Sequence, residues 1–378
     1  MVDCLRRLGF SIQVDADSLV NCNRTIVIEG LAGRVPPGGT QEQPMELFVA
    51  NAGTAARFLA AMLCLGSGVY RLHGVPRMHE RPQRALFEAL RQLGYRIESA
   101  ADKLPALIFG DGPRPGSCAV SVEQSSQFAS ALNLASERGG WQVRTQGENA
   151  EESRYVTMTT RMIGSFPQAG GDFVVEPDAS SGSYFQAAHI LMNWAGKRIG
   201  EGMASDIQVA QWPKSGWQMD AAFAGYWPLP DRLSRQRDLG DSIMTAMILA
   251  PFGPGLKETR FEDLGRLRVQ ECERVAAMRA ELTRCGARAE EAGDTLTLWP
   301  SVMRGAEIHT YGDHRMAMCF ATLGLVVPGM SILDPGCVKK TFPNFFQILA
   351  AGPPHGLGVT ITDARTGRIL PEEDLFAQ

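Results

Sequence analysis

No run in this chain of 378 residues stays apolar for the roughly 20 positions a membrane helix needs, which excludes a spanning helix. Basic excess is lacking too. Net charge is −4, so a nucleic-acid surface is not expected, and any bound anion must be met by arginines gathered locally. The eight cysteines, Cys4, Cys22, Cys64, Cys118, Cys272, Cys285, Cys319 and Cys337, form no C-x-x-C pair and mostly sit in apolar periodic runs. That pattern excludes zinc ligands and a disulfide framework; it reads as reduced core thiols of a cytoplasmic protein. The six histidines show no metal-ligand spacing, so no metal is expected. MVDCLRRLGFSIQVD, from Met1 to Asp15, lacks the apolar centre of a secretory leader. What the sequence does have, 44% hydrophobic and 21% charged residues with 40 glycines, suits a soluble, turn-rich chain long enough for two cores.

Two kinds of segment recur. The first is an amphipathic helix, a glycine that stops it and the start of a strand: MVDCLRRLGFSI from Met1, ALFEALRQLGYRI from Ala85 and VAAMRAELTRCGARA from Val275. The second is a small polar start followed by an apolar helix, at Asn51, Gln124, Asp178, Asp241 and Asp313. Five such starts, roughly 50 to 75 residues apart, are how repeated supersecondary units announce themselves. Strands are predicted between them at TIVIEG, VYRLHG, DFVVEP and TLTLWP, and a hairpin at VTITDARTGRIL in the tail. The architecture is therefore α/β. The amphipathic helix at Met1 has no buried helix ahead of it, so the first unit is expected to be incomplete and an upstream segment to be missing.

Chemistry is expected at the helix starts, where unpaired N–H groups and a partial positive charge suit phosphate or carboxylate. If the buried helices lie side by side, their starts gather Gly53, Thr54, Arg57, Ser125, Ser126, Gln127, Asp178, Asp241, Asp313 and Arg315. Gly53 would let a ligand approach the backbone, or is a turn glycine. Arg77 and Arg81, in a Pro-bounded loop, would fork onto an anion or lie on a solvated face. Asp241 is either an N-cap or a carboxylate that accepts a hydroxyl proton. Glu271 and Arg274, three residues apart, form a surface ion pair or supply an acid/base and an anion ligand. Arg315 and the pair Lys339-Lys340 would add to the positive field.

NAGTAAR (51–57), PRMHERP (76–82), SSQF (125–128), DASSGSYF (178–185), LRVQECER (267–274), YGDHRMAMCF (311–320) and KKTFP (339–343) occur in this order. Over residues 1 to about 350 the chain thereby resembles the 5-enolpyruvylshikimate-3-phosphate synthase family, and seven ordered motifs are far more specific than any one. The resemblance implies the two-domain enolpyruvyl transferase fold, an inside-out α/β barrel built from repeated βαβαββ units, with domains at 1–175 and 176–350 and an extension at 351–378. It implies two domains closing over the ligands and transfer of the enolpyruvyl group of phosphoenolpyruvate to the 5-hydroxyl of shikimate 3-phosphate. Phosphate is released and no cofactor is used, on the way to chorismate and the aromatic amino acids. By the same resemblance Asp241 and Glu271 are the catalytic proton-transfer groups. Ser125, Ser126, Gln127, Ser153, Asp241 and Gln270 bind shikimate 3-phosphate; Gly53, Arg81, Gln127, Arg274, Arg315 and Lys340 bind phosphoenolpyruvate. The implied enzyme is a cytoplasmic monomer and a glyphosate target.

The departures from the pattern are specific. The family's opening Gly-Ser-Lys-Ser run is absent, Gln270 and Arg266 stand for a lysine and an asparagine, and Phe58 replaces a proline. Ser153-Arg154-Tyr155 lacks the family's proline, and Pro213 interrupts an expected amphipathic helix. They keep open a silent homologue that binds anions without turnover. UDP-N-acetylglucosamine enolpyruvyl transferases share the chemistry but carry a cysteine in the loop matching PRMHERP, which has none here.

Overall fold

The computed structural model describes residues 1–17, 23–147, 150–198, 206–255 and 257–377; Cys22 lies outside them. The chain divides into two compact units, Met1–Phe173 and Val174–Gln378. Among the described residues no helix is long and apolar enough to cross a membrane.

The first unit opens with α1 (Val2–Arg7) and the antiparallel pair β1 (Ile12–Ala16) and β2 (Arg24–Ile28). Then follow β3 (Met45–Phe48), α2 (Gly53–Cys64), β4 (Ser67–His73), α3 (Pro76–Glu80), α4 (Arg84–Gln92), β5 (Ile97–Ser99) and β6 (Ala106–Asp111). β3 and β4 run parallel with α2 as their connection, and β6 pairs antiparallel with both β4 and β5, giving the order β3-β4-β6-β5. This is a βαβαββ unit, with the short α3 ahead of its second helix. β7 (Gly116–Ser121), α5 (Ser126–Gly139), parallel β8 (Trp141–Gln146) and α6 (Ala150–Ser165) begin another one, with no closing pair directly after α6 among the described residues.

In the second unit α7 (Ala179–Arg198) precedes β9 (Arg232–Ser234), α8 (Ile243–Leu249), β10 (Thr259–Glu262), α9 (Arg274–Arg284), β11 (Arg288–Ala292) and β12 (Thr295–Trp299). Its sheet order, β9-β10-β12-β11, with β9 and β10 parallel and the other pairs antiparallel, repeats that of the first unit strand for strand. β13 (Glu307–Ile308), α10 (His314–Gly324), parallel β14 (Ser331–Ile332) and α11 (Phe345–Ala350) follow.

The two segment types of the sequence have separate physical causes. The apolar helices are buried because small side chains let them pack on several sides: α2 packs on α5, and Ala55, Ala56, Leu59, Ala60 and Leu63 of α2 share one core with Phe128, Ala129 and Leu132 of α5. All seven residues of α8 are buried, as are Met316–Phe320 of α10. The amphipathic helices α1, α4 and α9 each end at a left-handed glycine, Gly9, Gly94 or Gly286, with φ of 99°, 86° and 95°. After each glycine the next N–H reaches the carbonyl five residues back, Phe10 to Leu5, Tyr95 to Leu90 and Ala287 to Leu282, at 2.9 to 3.2 Å. Such a closure needs positive φ and turns the chain directly into a strand.

Two expectations are corrected or reduced. DFVVEP is not a strand: it is irregular, with Val174 86% exposed and Val175 66% exposed, and it pairs with no strand among the described residues. β-branched content alone does not make a strand without a partner. The tail hairpin is reduced to a single bridge, Thr362 with Ile369. Residues 351–377 pack within the second unit, where Gln347 donates to the Glu372 carbonyl at 3.0 Å and Leu375 is buried. Pro213 lies in a stretch without helix, as expected for a residue that removes an N–H.

Candidate active site

In the first unit the starts of α2 and α5 carry one cluster. α2 begins after Ala52, which offers no side-chain cap to its leading N–H groups. Ser125 caps α5, its hydroxyl accepting from Gln127 N–H at 3.3 Å. Arg57 projects from α2, is 1% exposed, donates to Gln127 Oε1 at 2.6 Å and to the Pro82 carbonyl at 3.2 Å, and lies over the Phe128 ring. Gln127 Nε2 returns to Thr54 Oγ1 at 3.2 Å. Arg81 is 8% exposed and donates to the Asn51 carbonyl at 3.0 Å. A Cβ on Gly53 would stand 2.7 Å from Arg81 Nη2 and 3.0 Å from Arg57 Nη1. The missing side chain therefore makes room for two guanidinium groups, rather than leaving open space. Arg77 is the solvated one, paired with Glu80 at 2.6 Å. Ser126 is buried within the same turn. Ser153 is exposed on α6, its carbonyl accepting from Thr157 Oγ1; α6 is tied to α5 by Ser130 and Thr159 at 2.8 Å.

In the second unit the cluster centres on Asp241. It does not cap α8, whose cap position is Ser242. Its Oδ1 accepts from Arg235 Nη2 at 2.6 Å and from Gln270 Nε2 at 3.4 Å, while its Oδ2 lies 3.2 Å from Arg315 Nη2 and 3.7 Å from Arg274 Nη1. Burial alone would raise the Asp241 carboxyl, but the guanidinium groups of Arg315, Arg235 and Arg274 outweigh it and hold the group well below the usual range.

Arg274, 1% exposed, forks onto Asp313 at 2.7 and 3.2 Å, reaches Glu271 Oε2 at 2.8 Å and bonds Gln270 Oε1. Arg274 is thus buried and Glu271 half-buried beside it, with the exposed Lys340 bonding Glu271 Oε1 from the solvent side. Asp313 is fully buried and caps α10 by accepting from Arg315 N–H at 2.9 Å. Burial would raise its carboxyl, and Arg274 more than reverses that. Arg315 also donates to Ser180 Oγ at 2.9 Å and to Tyr184 Oη at 3.3 Å, both on α7. Lys339 is exposed. Among the described residues no group of three or more His, Cys, Asp or Glu side chains is placed to hold a metal ion.

The structure thus brings Gly53, Arg81, Ser125, Ser126 and Gln127 together in one unit, and Asp241, Gln270, Glu271, Arg274, Arg315 and Lys340 together in the other. Arg235 was missed. It is one of three arginines in RLSRQR, and nothing in the sequence separates it from Arg232 and Arg237, which are about two-thirds exposed at 65% and 67%. Ser180 and Tyr184 sit in a recognised motif but carried no expected role. The chemistry available is anion binding by forked cations and helix starts, with two carboxylates, Asp241 and Glu271, among them for proton transfer.

His314, between Asp313 and Arg315, is 4% exposed; burial first and Arg315 second push its imidazole down to about 4. It therefore folds neutral, and its contribution is complete above the ordinary histidine value and is lost as pH falls from about 6.5 to about 4. A displacement of that size is worth about 3 kcal/mol. Denaturant midpoints followed over this window should fall more steeply in the parent than in His314→Gln, and parallel curves would refute the assignment.

The family model for EPSP synthase (3-phosphoshikimate 1-carboxyvinyltransferase) matches residues 1–169 and 232–349. A 3-phosphoshikimate 1-carboxyvinyltransferase of Laribacter hongkongensis is 38% identical over 387 residues, covering 93% of this chain and 87% of that protein. One from Vibrio atlanticus is 35% identical over 381 residues, with 92% and 87% covered. Among solved structures, EPSP synthase of Acinetobacter baumannii superposes with a TM-score of 0.62 at 19% identity over 92% of this chain and 85% of that one. The enolpyruvyl transferase NikO of Streptomyces tendae gives 0.53 at 14% identity, with 90% and 82% covered. These two likenesses concern the fold.

Proposed function

The chain belongs to the EPSP synthase family, and from that membership we propose how its residues divide the work of the reaction. The enzyme transfers the enolpyruvyl group of phosphoenolpyruvate to the 5-hydroxyl of shikimate 3-phosphate and releases phosphate. A silent anion binder and a UDP-N-acetylglucosamine enolpyruvyl transferase are not favoured by these relatives.

Asp241 is the proton acceptor for the 5-hydroxyl. The observation that carries this reading is its carboxylate, turned away from any capping role and onto Arg235, Arg274 and Arg315. As the hydroxyl oxygen bonds to C2 of the enolpyruvyl group, its proton passes to Asp241 and C3 gains a proton. When C3 gives that proton up, the C2–O bond to phosphate breaks. Glu271, held between Arg274 and Lys340, is the group for the C3 proton.

The proposed contacts of phosphoenolpyruvate are Arg274, Arg315 and Lys340 in the second unit and Gly53, Arg81 and Gln127 in the first. The charge of Arg274, Arg315 and Lys340 is balanced by Asp241, Glu271 and Asp313, so a bound anion exchanges one set of partners for another. Ser125, Ser126, Gln127, Ser153 and Gln270 are the proposed contacts of shikimate 3-phosphate. The buried or half-buried free thiols among the described residues suit a cytoplasmic enzyme, which we read as a monomer with domains divided near residue 175.

Phosphate release from the two substrates, measured with parent and Asp241 variants, tests the whole reading. Gly53→Ala tests the first unit. The new methyl must displace the far end of Arg81, which costs the fold little but misplaces a forked donor. KM for phosphoenolpyruvate should rise about tenfold or more, with glyphosate inhibition weakened in parallel. Unchanged KM and inhibition would take Gly53 and Arg81 out of the site.

A further inference from the structure

Arg235 has no part in the roles assigned above, yet it makes the shortest contact to Asp241, at 2.6 Å, and is 2% exposed. Its backbone fixes it. Arg235 N–H donates to the Glu262 carbonyl at 3.0 Å, extending the β9–β10 pairing by one residue. Just before it, Ser234 is locked in a turn: its N–H donates to Asp238 Oδ2 at 2.8 Å, and its hydroxyl accepts from the N–H groups of Gln236 and Arg237. Arg232 and Arg237 point outward to Glu262, so of these three arginines only Arg235 turns inward.

We propose that Arg235 is a positioning residue for the reaction: it pins Oδ1 of Asp241 so that Oδ2 is the oxygen left to take the substrate's hydroxyl proton. The inference rests on the reading of Asp241 as proton acceptor. Arg315 and Arg274 both lie on Oδ2, and both have other partners, in Ser180 and Tyr184 for one and Asp313 and Glu271 for the other. When a bound anion draws them, Oδ2 is released. Arg235 does not follow, because a buried side chain on a paired strand end has nowhere to go.

A carboxylate turns easily about its last torsion, so one pinned oxygen aims the other. The pin has an electrostatic side as well. A permanent cation keeps Asp241 ionised to lower pH and makes it a weaker base. Other groups facing Asp241 are the Gln270 amide at 3.4 Å and Asp220, on the 3-10 turn Met219–Gly225, whose charge acts in the opposite direction. Glu271 and Asp313 act on it through Arg274.

The test is kcat against pH, by phosphate release at saturating concentrations of both substrates, for Arg235→Gln, Arg235→Met and Arg235→Lys. Removing the charge should move the acid limb upward by at least about one pH unit in the Gln and Met variants and lower kcat at neutral pH roughly tenfold. Arg235→Lys, which keeps the charge, should retain the acid limb of the parent. Either uncharged variant suffices if the other fails to fold. An acid limb that stays put in them overturns the inference, as does one that moves equally far in the Lys variant. Asp241→Asn separates the two levels: undiminished turnover there removes the proton-acceptor reading itself, whereas an inactive Asp241→Asn with unshifted Arg235 variants removes this inference alone.

Discussion

Asp241→Asn should lower kcat by about 10²- to 10⁴-fold while shikimate 3-phosphate still binds. The amide has nearly the shape of the carboxylate and can still accept from Arg235, but it cannot take a proton from a hydroxyl at any working pH. Its removal also frees Arg274 and Arg315 from Oδ2, which lies 3.7 and 3.2 Å from them in the parent. KM for phosphoenolpyruvate should therefore stay level or fall, so the loss belongs to kcat. Calorimetric titration with shikimate 3-phosphate checks that the variant is folded and binds. Turnover within tenfold of the parent, with binding intact, would mean that another group takes the proton.

Arg274→Met should be the most damaging single change for stability. The guanidinium is 1% exposed and serves Asp313, Glu271, Gln270 and Asp241 at once; without it Asp313, fully buried, keeps a charge with no forked partner. Breaking a buried pair in this way costs about 3–5 kcal/mol, or roughly 6 to 20 °C in melting temperature for a unit of this size. Asp313→Asn in the same chain should recover much of that loss, since the amide still accepts from Arg315 N–H and no longer carries charge. Affinity for phosphoenolpyruvate should not recover with it. A double variant as unstable as the single one would place the damage in packing instead of charge.

The helices were legible from sequence because their causes are local. Apolar runs at α2, α5, α8 and α10, and the glycines after α1, α4 and α9, need no knowledge of what lies elsewhere in the chain. DFVVEP failed for the opposite reason, since a strand depends on a neighbour. The site was legible in its residue types but not in its depth. Three residues separate Glu271 from Arg274 whether the arginine faces water or lies buried, and only the arrival of Asp313 from 39 residues away decides it. Gly53 presented as a gap for a ligand, and the same gap admits the guanidinium of Arg81 from a loop further along the chain. Arg235 had no signal at all, because its importance comes from a turn set by Ser234 and Asp238.

The strand-for-strand match of β3-α2-β4-α4-β5-β6 with β9-α8-β10-α9-β11-β12 reaches into chemistry. In each copy an arginine near the start of the amphipathic helix, Arg81 shortly before α4 or Arg274 at the first position of α9, reaches back to the entry of the buried helix. There the copies part: the residue ahead of the cap is Asn51 in one and Asp241 in the other, and the first helical residue is Gly53 in one and Ile243 in the other. The same frame thus carries a neutral amide at one entry and a carboxylate at the other, so exchanging Asn51 with aspartate or Asp241 with asparagine would swap a charge without redrawing the chain path.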